Sequence, residues 1–152
     1  MSRMAASTDK GGLEGVVVAD TRLSDVDGER GKLVIAGRDV EELAAQASFE
    51  DVIVLLRSAL SSTASGDERA RAETAASLGR ARVRAFEKLG SLGDALDRAD
   101  GMDALRAAAG HLVATGASSA DEDGVIGGLA VLAAAWIRKR SGQAPLAPDP
   151  SL

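Results

Sequence analysis

The spacing of apolar residues changes partway along the chain. Up to about residue 36 they fall in short β-branched runs, Gly15-Val16-Val17-Val18-Ala19 and Lys32-Leu33-Val34-Ile35-Ala36, which read as strands. Leu23 to Val26 continues or pairs with the first run. Between them Asp27-Gly28 supplies residue types that tolerate positive φ, and Gly31 adds a second flexible point, so a hairpin or small β ribbon is expected over about 15–36.

From about residue 40 the period becomes helical. In "DVEEL" Asp39 offers an N-cap oxygen with Glu42 three residues on, and in "SFED" Ser48 and Asp51 repeat the arrangement ahead of Phe49, Val52, Ile53, Leu56 and Leu60. Val54 and Leu55 lie off that stripe and predict burial on more than one side. Ser61 to Gly66 reads as a linker. Asp67 can cap a long helix to about Lys88 with Ala75, Leu78, Ala81, Ala85 and Leu89 on one side. Shorter helices are expected at Leu92–Arg98 and Met102–Ala114, with Ser91 and Asp100 as caps and Gly90 and Gly101 as stops. A last helix follows the acidic "SADED" and is apolar nearly all round from Val125 to Ile137. Its 13 apolar-rich residues are too few to cross a bilayer and point to a buried helix. Arg138-Lys139-Arg140 favours the helix dipole at its end. The tail "SGQAPLAPDPSL" holds all three prolines and cannot be helical throughout.

Length and composition narrow the function classes. The 152 residues suit one domain, with residues 1–12 a flexible tail and 13–152 the folded part. Aromatic anchors are few, namely Phe49, Phe86 and Trp136, so stability calls for close helix packing or a partner. A net charge of −5 argues against a nucleic-acid partner, which needs a concentrated basic face. Without cysteine there is no disulfide or thiolate metal chemistry, and the N-terminus has no secretory apolar run; a cytoplasmic location, with no membrane association, is expected.

Candidate chemistry is sparse. His111 stands alone among histidines, with no ligand-spaced partner, and a helix-surface or half-buried position suits it better than metal or general-base work. Arg69, Arg71, Arg80, Arg82 and Arg84 could hold a phosphate, but interleaved Glu68, Glu73 and Glu87 favour a solvated face with local ion pairs. "DGVIGG" lacks the phosphate-loop pattern, and close helix packing explains Gly127 and Gly128 better. Asp121, Glu122 and Asp123 could bind a cation but also suit a helix N-terminus, the preferred reading. The serines show no nucleophile elbow. No residue is assigned a catalytic or metal-binding role, and none can be assigned to cofactor binding.

One longer pattern is specific. "GLEGVVVADTRLSDVDGERGKLVIAGRDVEELA", Gly12 to Ala44, resembles the amino-terminal signature of bacterial citrate synthases and 2-methylcitrate synthases: Gly-Leu-x-Gly-Val, then Thr-x-(Ile/Leu)-Ser-x-(Ile/Val)-(Asp/Asn)-Gly, a strand, and Gly-Tyr-(Asp/Pro)-(Ile/Val)-x-x-Leu. "SFEDVIVLL" is similar to the family's Phe-Glu-Glu-Val-x-x-Leu-Leu helix, "MDALRAAAGHL" to its Met-Asp-x-Leu-Arg segment, and "AAAWIRKRSGQAPLAPDPSL" to the helix and proline-containing loop that approach the active site. Arg38 stands where the family has Tyr. "ALSST", Ala59 to Thr63, lacks the proline of Gly-x-Leu-Pro-Thr, and Ile126-Gly127 stands near the place of a missing Leu-Pro helix start. These departures imply a drifted or specialised copy.

The resemblance implies a mainly α fold, a helical large-domain segment with a small N-terminal β ribbon. It also implies a family reaction, that of an acyltransferase of the tricarboxylic acid cycle: condensation of acetyl-CoA, or its propionyl counterpart, with oxaloacetate to give citrate and CoA. There an aspartate takes a proton beside the thioester carbonyl, one histidine stabilises the enol and a second assists at the keto group. Those residues lie beyond the matched segment, which stops just short of a His-Ala-x-Asn-Phe-Leu motif whose histidine contacts oxaloacetate in the family. The chain is therefore expected to be a scaffold, inactive alone and binding no cofactor itself, acetyl-CoA being a substrate of the complete enzyme. Its partner would be a second citrate synthase-like chain in a hetero- or homo-oligomer. The alternatives are a non-catalytic helical subunit that binds a complete synthase, or a truncated fragment.

Overall fold

A computed structural model describes residues 20–60, 68–112 and 119–149. The expected tail 1–12, the strand at Gly15–Ala19, the linker at Ser61–Gly66 and the cap at Asp67 lie outside those residues.

The fold begins with a three-stranded antiparallel meander. Strand β1 (Ser24–Asp27) pairs with β2 (Lys32–Ile35), Asp27 opposite Lys32, and β2 pairs with β3 (Arg38–Asp39), Ile35 opposite Arg38. The ribbon therefore has a third short strand beyond the expected hairpin. In the first turn the Arg30 N–H donates to Asp27 Oδ1 at 3.0 Å, and it is Gly31, at φ +62°, rather than Gly28 that takes the left-handed conformation. The second turn is two residues long, Ala36 at φ +47° and Gly37 at φ +81°, the double positive φ of a type I′ hairpin. Ala36 holds this conformation against its own Cβ, and its N–H donates to Leu23 O at 2.8 Å.

Helix α1 (Val40–Gln46) starts from Asp39, whose Oδ1 accepts the Glu41 N–H at 2.9 Å, so the cap rests on Asp39. Leu43 is its buried contact beside the ribbon. Helix α2 (Phe49–Leu60) has the complete reciprocal box: the Asp51 N–H donates to Ser48 Oγ at 3.1 Å and the Ser48 N–H to Asp51 Oδ2 at 2.8 Å. Its inner residues Ile53 and Val54 are buried as expected, but the two ends of the stripe, Phe49 and Leu60, are exposed.

Helix α3 (Glu68–Glu87) buries Thr74, Leu78, Gly79, Ala81 and Ala85 and lies along α5 (Ser119–Arg140). The expected helix at Leu92–Arg98 is replaced by two 3₁₀ turns, Leu89–Ser91 and Ala95–Asp97. Gly93 between them sits at φ +58°, which breaks the α path. Helix α4 (Gly101–Ala109) is shorter than Met102–Ala114, its end tightened by i→i−3 bonds from His111 and Leu112. Asp100 caps it as expected, accepting the N–H groups of Met102 and Asp103. Gly101, expected as a stop, is instead its first residue, and a Cβ there would lie 3.1 Å from the Trp136 ring.

Helix α5 differs most from expectation. It begins at Ser119, so "SADED" lies within it rather than ahead of it. Its core face meets Leu92, Ala95, Leu96 and Ala108 through Leu132 and Ala135. The Trp136 Nε1–H donates to Arg98 O at 2.9 Å, and Lys139 pairs with Asp97. Val125, Leu129 and Ile137 are nevertheless exposed, so the all-round apolar helix is covered on two sides and open on a third. Among the described residues no helix is long and apolar enough to cross a membrane.

Candidate functional site

Two glycines allow α5 to approach its neighbours closely. Gly127 faces α3, where an added Cβ would lie 2.9 Å from Ala81 Cβ, 3.1 Å from Leu78 O and 3.2 Å from Arg82 N; Gly128 faces Leu112. Close packing, and not phosphate binding, is what these residues serve. With α3 and α5 so near, the side chains just beyond the contact define a groove between them.

That groove is roofed by the chain leaving α5. The helix ends in a Schellman turn: Gly142, at φ +68°, donates to Lys139 O at 3.0 Å and Gln143 donates to Arg138 O at 2.9 Å. Arg138 Nε then donates to Ala144 O at 2.6 Å, which pins the outgoing tail. Pro145 to Pro148 runs back beside Arg82 and Phe86 of α3 and the α5 residues Ala130, Val131 and Ala134, enclosing about 270 Å³. Among the described lining residues the walls are apolar apart from Arg82 and Arg138, and none carries a carboxylate. Arg82 Nη2 is buried without a hydrogen-bond partner among the described residues. Such a donor is costly to leave unmade.

Arg82 was expected on a solvated face, and only part of that reading holds. Arg69 does pair locally with Glu73 at 2.8 Å, but Arg71 reaches across to Asp51 of α2, and Arg82 turns into the groove. The readable signal was position: Arg82 directly follows Ala81 and lies four residues after Leu78, bordering the buried stripe of α3. Arg138 both favours the dipole of α5 and lines the groove. His111 is exposed in the turn after α4.

The acidic run has a structural task. Arg57 Nη2 of α2 lies 2.7 Å from Asp123 Oδ1 and 3.3 Å from Glu122 Oε2, tying α2 to α5, and Asp123 is buried. Asp51, the other bridging acid, is held below its ordinary carboxylate range by the Ser48 N–H first, then by the Ser48 hydroxyl and the Arg71 guanidinium, with desolvation opposing. A depressed folded-state value means a stabilisation fully present above the ordinary value of 3.8 and lost as pH falls through the lower folded value. The melting-temperature gap between the parent chain and Asp51→Asn should therefore be constant from about pH 7 to about pH 5 and narrow towards about pH 2. A gap unchanged across that range would contradict the assignment. Among the described residues no three His, Cys, Asp or Glu side chains come together as a metal site.

Comparison with known proteins completes the picture. Residues 12–152 match a family model described as "Citrate synthase, C-terminal domain". A citrate synthase of Haloferax volcanii is 55% identical over 47 residues, which is 31% of this chain and 12% of that protein's length. The model's description speaks of a C-terminal domain, whereas the motif order from Gly12 resembles the amino-terminal portion of such enzymes.

Proposed function

The chain belongs to the citrate synthase family, and from that membership we propose that it is the amino-terminal, scaffold-forming part of a citrate synthase-type enzyme. The reaction is the condensation of acetyl-CoA with oxaloacetate to citrate and CoA. Its proton-transfer groups, two histidines and an aspartate, come from polypeptide outside these 152 residues, which we place on a separate partner subunit. The observation that carries the reading is the family match over residues 12–152, with the motifs in family order from Gly12 through the proline-containing tail. The open third face of α5, with Leu129 and Ile137 exposed, supports a partner that covers it.

In this arrangement the chain's own residues position rather than react. The Schellman turn at Gly142 and the Arg138–Ala144 bond set the direction in which the tail leaves α5, the segment that resembles the family's approach to the active site. The Trp136–Arg98 bond and the Lys139–Asp97 pair fix α5 against the 3₁₀ segment beneath it. Rigid support of this kind keeps reacting groups on a neighbouring element in productive geometry.

The test is to mix the purified chain with the polypeptide of the same organism that carries the His-Ala-x-Asn-Phe-Leu motif, and to follow thiol release from acetyl-CoA with oxaloacetate present. Turnover is expected on mixing and from neither chain alone; no gain on mixing contradicts the proposal. A second reading, a non-catalytic subunit that docks on a complete synthase, is favoured by the same exposed face together with the departure at Arg38. In that case the partner is active alone and the added chain changes its substrate affinity or oligomeric state.

A further inference from the structure

We propose that the groove between α3, α5 and the Pro145–Pro148 tail is the seat of a partner-subunit segment that presents a carboxylate flanked by apolar side chains, the acid lying against Arg82 and Arg138. The proposal rests on the two-subunit reading above and says where and by what chemistry the subunits meet. Its starting point is an imbalance. Two guanidinium groups line one cleft of about 270 Å³, no acid is among the described lining residues, and Arg82 Nη2 is buried with no acceptor among the described residues. Arg138 spends its Nε on Ala144 O, so its position is fixed by the tail rather than by an acid.

The remaining wall selects the kind of anion. Phe86, Val131 and Ala134 on one side and Pro145 and Leu146 on the other give apolar contacts that a small hydrophilic anion would leave unused. The apolar surface extends one step past the groove: Ile137, exposed, continues the stripe of the lining residues Ala130 and Ala134 at i+7 and i+3 on α5. A band of this length, with a charge pair at one end, fits a segment of folded protein. Planar guanidinium groups suit a carboxylate through paired, directional hydrogen bonds, and removal of water by the flanking apolar residues strengthens them.

The experiment measures association of the full chain with the polypeptide that carries the His-Ala-x-Asn-Phe-Leu motif, by titration calorimetry, beside the melting temperature of the chain alone. Arg82→Met together with Arg138→Met keeps the apolar stems and removes the charges. Binding should weaken at least about tenfold, the loss of a charge-assisted pair. Arg82→Met alone should leave the melting temperature of the isolated chain unchanged or raised, since it removes a donor that has no acceptor there. A scan of Asp→Asn and Glu→Gln changes in the partner should find one whose effect is not additive with Arg82→Met. Unchanged affinity in the double variant overturns the proposal, as does a lower melting temperature for Arg82→Met, or no association between the two chains. So does acetate at low millimolar concentration shifting the Arg82 side-chain NMR resonances of the isolated chain, which would mark a free-anion site. Arginine-dependent association without thiol release would leave the docking intact and sink the enzymatic reading; turnover on mixing that is indifferent to Arg82 and Arg138 would do the reverse.

Discussion

Arg57→Ala is expected to destabilise the chain by about 3 kcal/mol, because it leaves a buried carboxylate without its counter-charge. The Asp123 side chain is 3% exposed and lies 2.7 Å from Arg57 Nη2, whose own side chain is 29% exposed. The two partners are therefore not equivalent. Asp123→Asn leaves behind a guanidinium that still reaches water and Glu122 at 3.3 Å, so its loss should be smaller, about 1 kcal/mol. Urea unfolding of both variants, with the midpoint and slope fitted separately, checks the order. Equal losses, or a larger one for Asp123→Asn, would show that burial of the Asp123 carboxylate does not set the cost of breaking the pair.

Gly127→Val should cost a comparable amount, about 3 kcal/mol, by forcing α3 and α5 apart. The obstruction is backbone as well as side chain: a Cβ at Gly127 meets Leu78 O at 3.1 Å and Arg82 N at 3.2 Å, and helix backbone yields only by moving a whole helix. Gly128→Ala is the control. Its new methyl meets the Leu112 side-chain tip, with Cδ2 at 2.6 Å, which can rotate aside, and replacing glycine inside a helix returns up to about 1 kcal/mol of backbone propensity. Thermal melts should place Gly128→Ala within about 0.5 kcal/mol of the parent. If the two variants melt together, contact between α3 and α5 at residue 127 is not what limits their approach.

These two residues also show where sequence reading succeeds and stops. That Gly127 and Gly128 serve packing was legible, since an apolar helix with adjacent glycines has no phosphate-loop pattern around it. Which of them meets backbone and which a mobile side chain was not, because that depends on the partner helix. The same division holds for the acidic run. Asp123 carries no local sign that sets it apart from Asp121 or Glu122; it is buried because α2 brings Arg57 against it, 66 residues away along the chain. Arg82 looked like one more arginine on a charged helix until the return of the tail closed a groove over it.

The breaks between helices depart from the sequence expectation for a related reason. Gly93 in a left-handed turn converts the expected Leu92–Arg98 helix into 3₁₀ turns, and Gly101 opens a helix instead of closing one because the Asp100 carboxylate before it caps that helix. Glycine signals a change of direction without saying which side of it is helical.

By itself the sequence determined what depends on neighbours along the chain: the change from strand period to helix period near residue 40, the caps at Asp39, Ser48 and Asp100, and the ordered motifs of the citrate synthase family. These are set by interactions spanning three or four residues, or by residue order alone. Only the tertiary structure decided which charges are buried, which face of α5 is left open, and that Arg82 and Arg138 share a groove. Those outcomes depend on groups brought together from distant parts of the chain, and short-range spacing carries no information about them.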